Sequence, residues 1–272
     1  MKGRTTVWLA SAALMLAAGC TPAADAPRRP AKPTVVSLNP CSDAILTELL
    51  PPSQLLAISH YSHDPAGTSM DLALARTYRA TGGTVEEVLA LNPDIVVGST
   101  FMPPATRAAL SDLGLDVVTV GIAATVEESQ AQVRDLAIAV GAPERGEALA
   151  SRIGQAAAKL EAGRGVQTRS AVLWQPGGIV PGEATLVADL MRRAGFSSHT
   201  ASRGMQQADY LPLEQVLADP PDLLLIAGDD RAQRHPALRA LQVTRIESFD
   251  PALLYCGGPS VIRAAARLSE LQ

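Results

Sequence analysis

"TVEEVLALNPDIVV" (Thr84 to Val97) and "PLEQVLADPPDLLL" (Pro212 to Leu225) together decide the fold. Laid over each other, Glu86, Val88, Leu89, Ala90, Pro93 and Asp94 match Glu214, Val216, Leu217, Ala218, Pro221 and Asp222 at one constant offset. Each copy reads as helix, turn, strand. The helix must stop before its proline, because the preceding residue disfavours helical geometry. The aspartate then turns the chain, and the aliphatic run has the length and composition of a buried strand. In the first copy Thr84 and Glu87 stand at capping-box spacing.

Working outward, the same alternation continues on both sides. "TVVSL" (Thr34 to Leu38) reads as a strand closed by Asn39-Pro40, followed by a helix capped by Ser42 or Asp43 and running to Leu50. "LLAIS" (55–59), "DIVVG" (94–98) and "DVVTV" (116–120) are strands, with a helix over 104–113. From Val126 to about Ala162 the pattern is helical, interrupted only by Gly141, Pro143 and Gly146. Alternation then resumes with strands over 170–175, 222–228 and 243–249 and helices over 184–194 and 260–271. Strands alternating with helices imply parallel sheets. The expected α/β fold is two Rossmann-like lobes, 34–125 and 164–272, joined by one long helical segment over 126–163.

The first twenty residues read as a targeting segment. Lys2 and Arg4 precede an apolar run from Val7 to Leu16 that ends in "LAAGC", similar to a lipoprotein signal with Cys20 as the acylated residue. Cleavage at the A-x-A of Ala24 to Ala26 is the alternative, and either makes the protein an exported one. Acylation would leave it anchored to a membrane rather than spanning one. Residues 21–33, rich in Ala, Pro and Arg, read as a flexible tether. A formal net charge of −4 argues against nucleic acid, which asks for a basic face. A monomer is expected.

"VVSLNPCSDAILTELL", the paired "E-x-V-L-A-x-x-P-D" units, "GEATLVADLMRRAG" and "GGPSVIRAAARL" resemble, in their order and spacing, the periplasmic substrate-binding proteins of iron–siderophore and vitamin B12 importers. The likeness runs from Val35 to Leu271. It implies a single rigid interdomain helix and a ligand in the cleft between the lobes. The ligand implied is a corrinoid or a ferric siderophore, with heme and other metal complexes as alternatives, and no cofactor. It also implies delivery to an ABC permease dimer with its ATPase. Glu86 and Glu214, in matching first turns, are then implied to dock one lobe each onto permease arginines; the plainer account is a favourable interaction with the helix dipole.

In open α/β sheets, ligands bind outside the carboxyl ends of the strands. Aromatics make up only 3% of the chain, so their positions are informative. Tyr61, Phe101, Trp174 and Tyr255 each follow or end an expected strand, where a ring can stack on a flat ligand or simply cap the lobe. His60, Tyr61, His63 and Asp64 form the most chemically loaded loop, suited to hydrogen bonding a chelate or ligating its metal. Their spacing matches no structural zinc pattern. Asn39 and Cys41 in the first loop, and Gly257 and Gly258 before the last helix, build turns that let backbone N–H groups approach a ligand. Cys41 and Cys256, one per lobe, read either as a bridge or as two thiols lining the ligand. A thiol enzyme using Cys41 with His60 or His63 is the distant alternative; no G-x-S-x-G, P-loop or G-x-G-x-x-G is present.

Overall fold

A computed structural model describes residues 30–165, 168–254 and 256–272. The signal segment with Cys20, most of the tether and Tyr255 lie outside the described residues.

The first lobe follows the expected alternation: β1 (Val35–Ser37), α1 (Pro40–Leu49), β2 (Leu55–Ser59), a 3-10 turn (His60–His63), α2 (Leu72–Ala75), β3 (Ala80–Thr81), α3 (Val85–Leu91), β4 (Ile95–Ser99), α4 (Pro104–Asp112) and β5 (Asp116–Val120). Its strands form a parallel sheet in the order β3-β2-β1-β4-β5. The cap of α1 is Asn39 rather than Ser42 or Asp43. Its Oδ1 accepts from the N–H groups of Cys41 and Ser42, and Pro40 occupies the first turn, where its missing N–H costs nothing.

The helical segment is two helices, α5 (Val126–Ala139) and α6 (Pro143–Ala162). Gly141, at φ +74, makes the turn between them. They pack antiparallel, so closely that a Cβ at Gly146 would overlap Ala137. Gln130 Nε2 donates to the Ala150 carbonyl across the seam at 2.7 Å, and Arg134 pairs with Glu147. α6 alone carries the chain into the second lobe.

That lobe contains β6 (Arg169–Trp174), β7 (Ile179–Val180), α7 (Leu186–Arg193), β8 (Phe196–Ser198), β9 (Asp209–Tyr210), α8 (Leu213–Ala218), β10 (Leu223–Ile226), β11 (Arg245–Ser248) and α9 (Ser260–Ser269). Its parallel sheet runs β11-β10-β6-β8, while β7 and β9 form a separate antiparallel ribbon. The short strands β3, β7, β8 and β9 carry no alternation long enough to read from sequence.

The repeated unit has a repeated structural job. Asp94 Oδ2 accepts from the Thr34 N–H and hydroxyl at 2.7 and 2.8 Å, and the Asp94 N–H donates back to Thr34 Oγ1. Asp222 Oδ2 accepts from the Ser170 N–H and hydroxyl at 2.7 and 2.9 Å, with the same return bond. Each aspartate therefore clamps the start of its lobe's first strand to the strand its own helix feeds. Registered from these clamps, β1 corresponds to β6 and β4 to β10.

One apolar core runs through both lobes and the hairpin, from Ile45 and Leu49 of α1 through Val133, Ile153 and Leu160 to Leu190, Val261 and Leu268. Polar ties follow the same path. The Val126 N–H donates to Asp189 Oδ2 at 3.1 Å, Arg193 pairs with Glu127, and Arg145 Nη1 donates to the Leu49 carbonyl at 3.0 Å. The hairpin is thus fastened to α1 on one side and to α7 on the other.

Candidate functional site

In the first sheet the chain order reverses between β1 and β4, and in the second between β6 and β10. Such switch points open a crevice at the strand carboxyl ends. A cleft of about 410 Å³ lies where the two crevices face each other. This volume falls within the range of small-molecule sites. From the first lobe come Asn39 and Cys41 after β1, Ser99 at the end of β4 with Phe101 beyond it, and Gly121, Ile122 and Ala123 after β5. From the second come Gln175 after β6, Pro181, Ala184 and Thr185 before α7, Leu186 and Val187 in its first turn, Gln207, Ala208, and Leu254, Cys256 and Gly257 before α9. Gln132 of α5 bridges the two sets. A hollow of about 360 Å³ along β5 and α5 shares Gly121, Ile122, Ala123 and Gln132 with the cleft.

The first turns of α1 and α7 face each other across this cleft. Their exposed N–H groups are partly spent already: Asn39 Oδ1 takes those of Cys41 and Ser42, and Thr185 Oγ1 takes that of Ala188 at 3.4 Å. At the floor, Cys41 and Cys256 are joined as a disulfide with Cα atoms 5.1 Å apart, one cysteine from each lobe. Phe101 is 74% exposed and Ile122 77% exposed, and both stand at the first-lobe wall of the cleft.

Of the residues singled out in the sequence, Asn39, Cys41, Phe101, Cys256 and Gly257 meet in the cleft. Trp174 does not. It ends β6 with no exposed surface, packed with Val180, Leu211, Val216 and Leu238, and its Nε1 donates to the Leu211 carbonyl at 2.8 Å. The period of two decides this: Ala171 and Leu173 enter the main core, so Val172 and Trp174 point to the opposite face, which α8 and the ribbon cover. Its neighbour Gln175 reaches the cleft instead.

His60, Tyr61, His63 and Asp64 also lie away from the cleft lining. Their turn follows β2, one strand outboard of the switch point, so the loop is carried to the side. A His60 ring nitrogen bonds the Thr81 carbonyl at 3.2 Å, His63 Nε2 bonds that of Ala75 at 3.1 Å, and Asp64 accepts from the Ala66 N–H. Tyr61 is 56% exposed beside the His60 ring, with centroids 4.1 Å apart. Among the described residues no group of three or more His, Cys, Asp or Glu is arranged to hold a metal. Gly258 is buried, with its N–H given to Ser129 Oγ at 2.7 Å, so that donor is not offered to a ligand. Glu86 and Glu214 are exposed in the first turns of α3 and α8.

Beneath the cleft, Asp43 of α1 is fully buried; Ser62 Oγ donates to its Oδ2 at 2.6 Å and the Ser59 N–H at 3.0 Å. Burial raises its pKa to about 7, against the pull of those hydrogen bonds. Sequence reasoning missed Ser99, Gln132, Gln175, Thr185 and Gln207. Only Gln175, next after a strand, and Thr185, the cap of α7, carried a readable signal.

A family model described as a periplasmic binding protein matches residues 35–245. The chain belongs to that family. Solved structures share its two-lobed α/β fold. The periplasmic heme-binding protein HutB of Vibrio cholerae superposes with a TM-score of 0.72 at 18% identity, covering 88% of this chain and 98% of that one. A periplasmic heme-binding protein from Pseudomonas aeruginosa gives 0.66 at 25% identity, over 88% and 92%. The periplasmic vitamin B12-binding protein BtuF of Vibrio cholerae gives 0.66 at 16%, over 87% and 95%. None of the curated proteins matches.

Proposed function

We propose that this periplasmic binding protein captures a metal chelate in the interlobe cleft and hands it to an ABC permease dimer driven by its ATPase. The chelate is a corrinoid or ferric siderophore, with heme the alternative that the heme-binding neighbours favour. The observation that carries this reading is the position of the cleft: it sits at the switch points of both lobes, so one ligand touches the first turns of α1 and α7 together. The protein acts as a carrier rather than a catalyst. Cys41 is bonded to Cys256, and both histidines of the 60–63 turn bond backbone carbonyls, which leaves the thiol-enzyme alternative without a prepared nucleophile. Absorbance titration with cyanocobalamin, hemin and a panel of ferric siderophores should give saturable one-to-one binding of at least one; binding of none overturns the reading.

Two further parts of the proposal concern the envelope. Glu86 and Glu214 begin helices that run antiparallel to the strands, so both sit on the cleft side of their sheets, as a docking pair requires. Rim charges set encounter and register more than affinity for the cargo. Reversing both to Arg should abolish uptake into permease vesicles while ligand affinity stays near wild type; wild-type uptake would reduce them to helix-dipole partners. A lipid on Cys20 would hold the protein at the membrane, and the intact mass of the native protein tests it: a chain beginning after Ala26 would rule it out.

A further inference from the structure

Among the described residues lining the cleft, none carries an ionisable side chain, since Cys41 and Cys256 are consumed in their disulfide. That is unusual composition for a site in a chain with 18% charged residues. Four primary amides stand there instead: Asn39, Gln132, Gln175 and Gln207. Two of them occupy equivalent places. Asn39 follows Thr34, and Gln175 follows Ser170, at the same spacing from the two strand clamps. The repeated lobes thus present one amide each from the end of their first strand. Two amides are also held in fixed orientations. Asn39 Oδ1 is used in capping α1, which leaves its Nδ2 as a donor; Gln132 Nε2 donates to the Gly121 carbonyl at 2.8 Å, which leaves its Oε1 as an acceptor.

We propose, resting on the chelate-binding reading above, that the cleft selects a chelate with no net charge whose edge carries amides or similar neutral hydrogen-bonding groups, and that Asn39, Gln132, Gln175 and Gln207 are its specificity-determining residues. A carboxylate carried into this cleft would lose its hydration and find no guanidinium or ammonium among the described lining residues to replace it, which is costly. Sites that recognise carboxylates supply arginine forks for that purpose. Amides instead offer a donor and an acceptor together, the complement of another amide.

Two matched ligand pairs test this directly. Cyanocobalamin is compared with its monocarboxylate, in which one peripheral amide has been hydrolysed; iron(III) porphyrin dimethyl ester, neutral as its axial hydroxide complex, is compared with the same complex of hemin, its free diacid. In whichever macrocycle binds, the neutral member should bind at least about tenfold more tightly, and Gln175→Lys should shrink or reverse that preference. Equal or tighter binding of the acid member by the wild-type protein overturns the proposal and leaves the chelate reading standing. If neither macrocycle binds in either form, this proposal fails, and the ferric-siderophore titration decides separately whether the chelate reading stands.

Discussion

The two lobes place an aspartate at the same point of the same helix and solve the problem of its burial in opposite ways. Asp43 is the fourth residue of α1, and Asp189 the fourth of α7. Asp189 is buried beside cations: Arg193 Nε lies 2.9 Å from its Oδ2 and Arg192 lies 3.5 Å from Oδ1, and it also accepts the Val126 N–H of the hairpin. Asp43 has hydroxyl and amide partners and, among the described residues, no cation within ion-pair distance. One carboxylate is therefore an ion-paired bolt between lobe and hairpin. The other is a titrating group inside its lobe, fixing the turn after β2. A duplicated backbone does not carry duplicated electrostatics with it.

The strand clamps show the converse. Asp94 and Asp222 keep the same bonds to Thr34 and Ser170, although the helices that lead to them differ. α3 has a threonine cap, with Thr84 Oγ1 accepting the Glu87 N–H, and ends on Asn92 in the left-handed region. α8 starts at Pro212 without a side-chain cap and ends on Asp219. What persists between the lobes is the contact that registers the sheet.

The comparison can be broken most forcefully at the residue after that register. Trp174 and Leu38 are counterparts, but Trp174 is fully buried and Leu38 only half-buried. Trp174→Ala should cost about 3–5 kcal/mol in urea unfolding followed by circular dichroism, because it removes a large side chain from a closed core. Leu38→Ala should cost clearly less. Equal losses would mean that the second lobe relaxes around the cavity.

Next in size is the aspartate pair. Asp189→Ala leaves Arg193 with Glu127 as its remaining carboxylate and frees the Val126 N–H, and should cost about 2 kcal/mol. Asp43→Asn should fold well and change the pH profile instead. The folded protein holds the Asp43 proton up to about pH 7, whereas the unfolded chain releases it near the ordinary value of 3.8. Stability therefore falls as pH rises through that window and levels off above it, and the asparagine variant should lack this slope. Urea midpoints measured across that window decide the matter, and an unchanged slope in the variant would assign it to other groups.

The smallest effects belong to the clamps. Asp94→Ala and Asp222→Ala should each cost about 1 kcal/mol, less than buried hydrogen bonds to a charged group because both carboxylates are exposed. The bonds from Ser170 hold the Asp222 carboxyl below its usual range. Its contribution is present above the ordinary carboxylate value and is lost as pH falls through the depressed one. A cost for one clamp and none for the other would end the claim that the two units do the same job.

Much of the fold was legible because it rests on local signals. The repeated helix–proline–aspartate unit marked both lobes, and Thr84, Asn39-Pro40 and Gly141 marked ends and turns. The site was less legible because it depends on strand order, which no local pattern encodes. The 60–64 loop has the richest chemistry but follows β2, one strand from the switch point. Trp174 sits at a strand end, yet both faces of that sheet are covered, so no polar face revealed which way its ring pointed. Gln132 reaches the cleft from a hairpin helix whose own pattern reports only its packing.

Hydrogen–deuterium exchange of the protein with and without a saturating macrocycle, cyanocobalamin or hemin, reads the ligand's position from the backbone. A ligand held between the two switch points should protect both helix starts at once, residues 39–42 and 184–188, together with 99–101, and leave 60–64 unchanged. Protection confined to one lobe, or centred on the 60–64 turn, would contradict a ligand held between the two switch points.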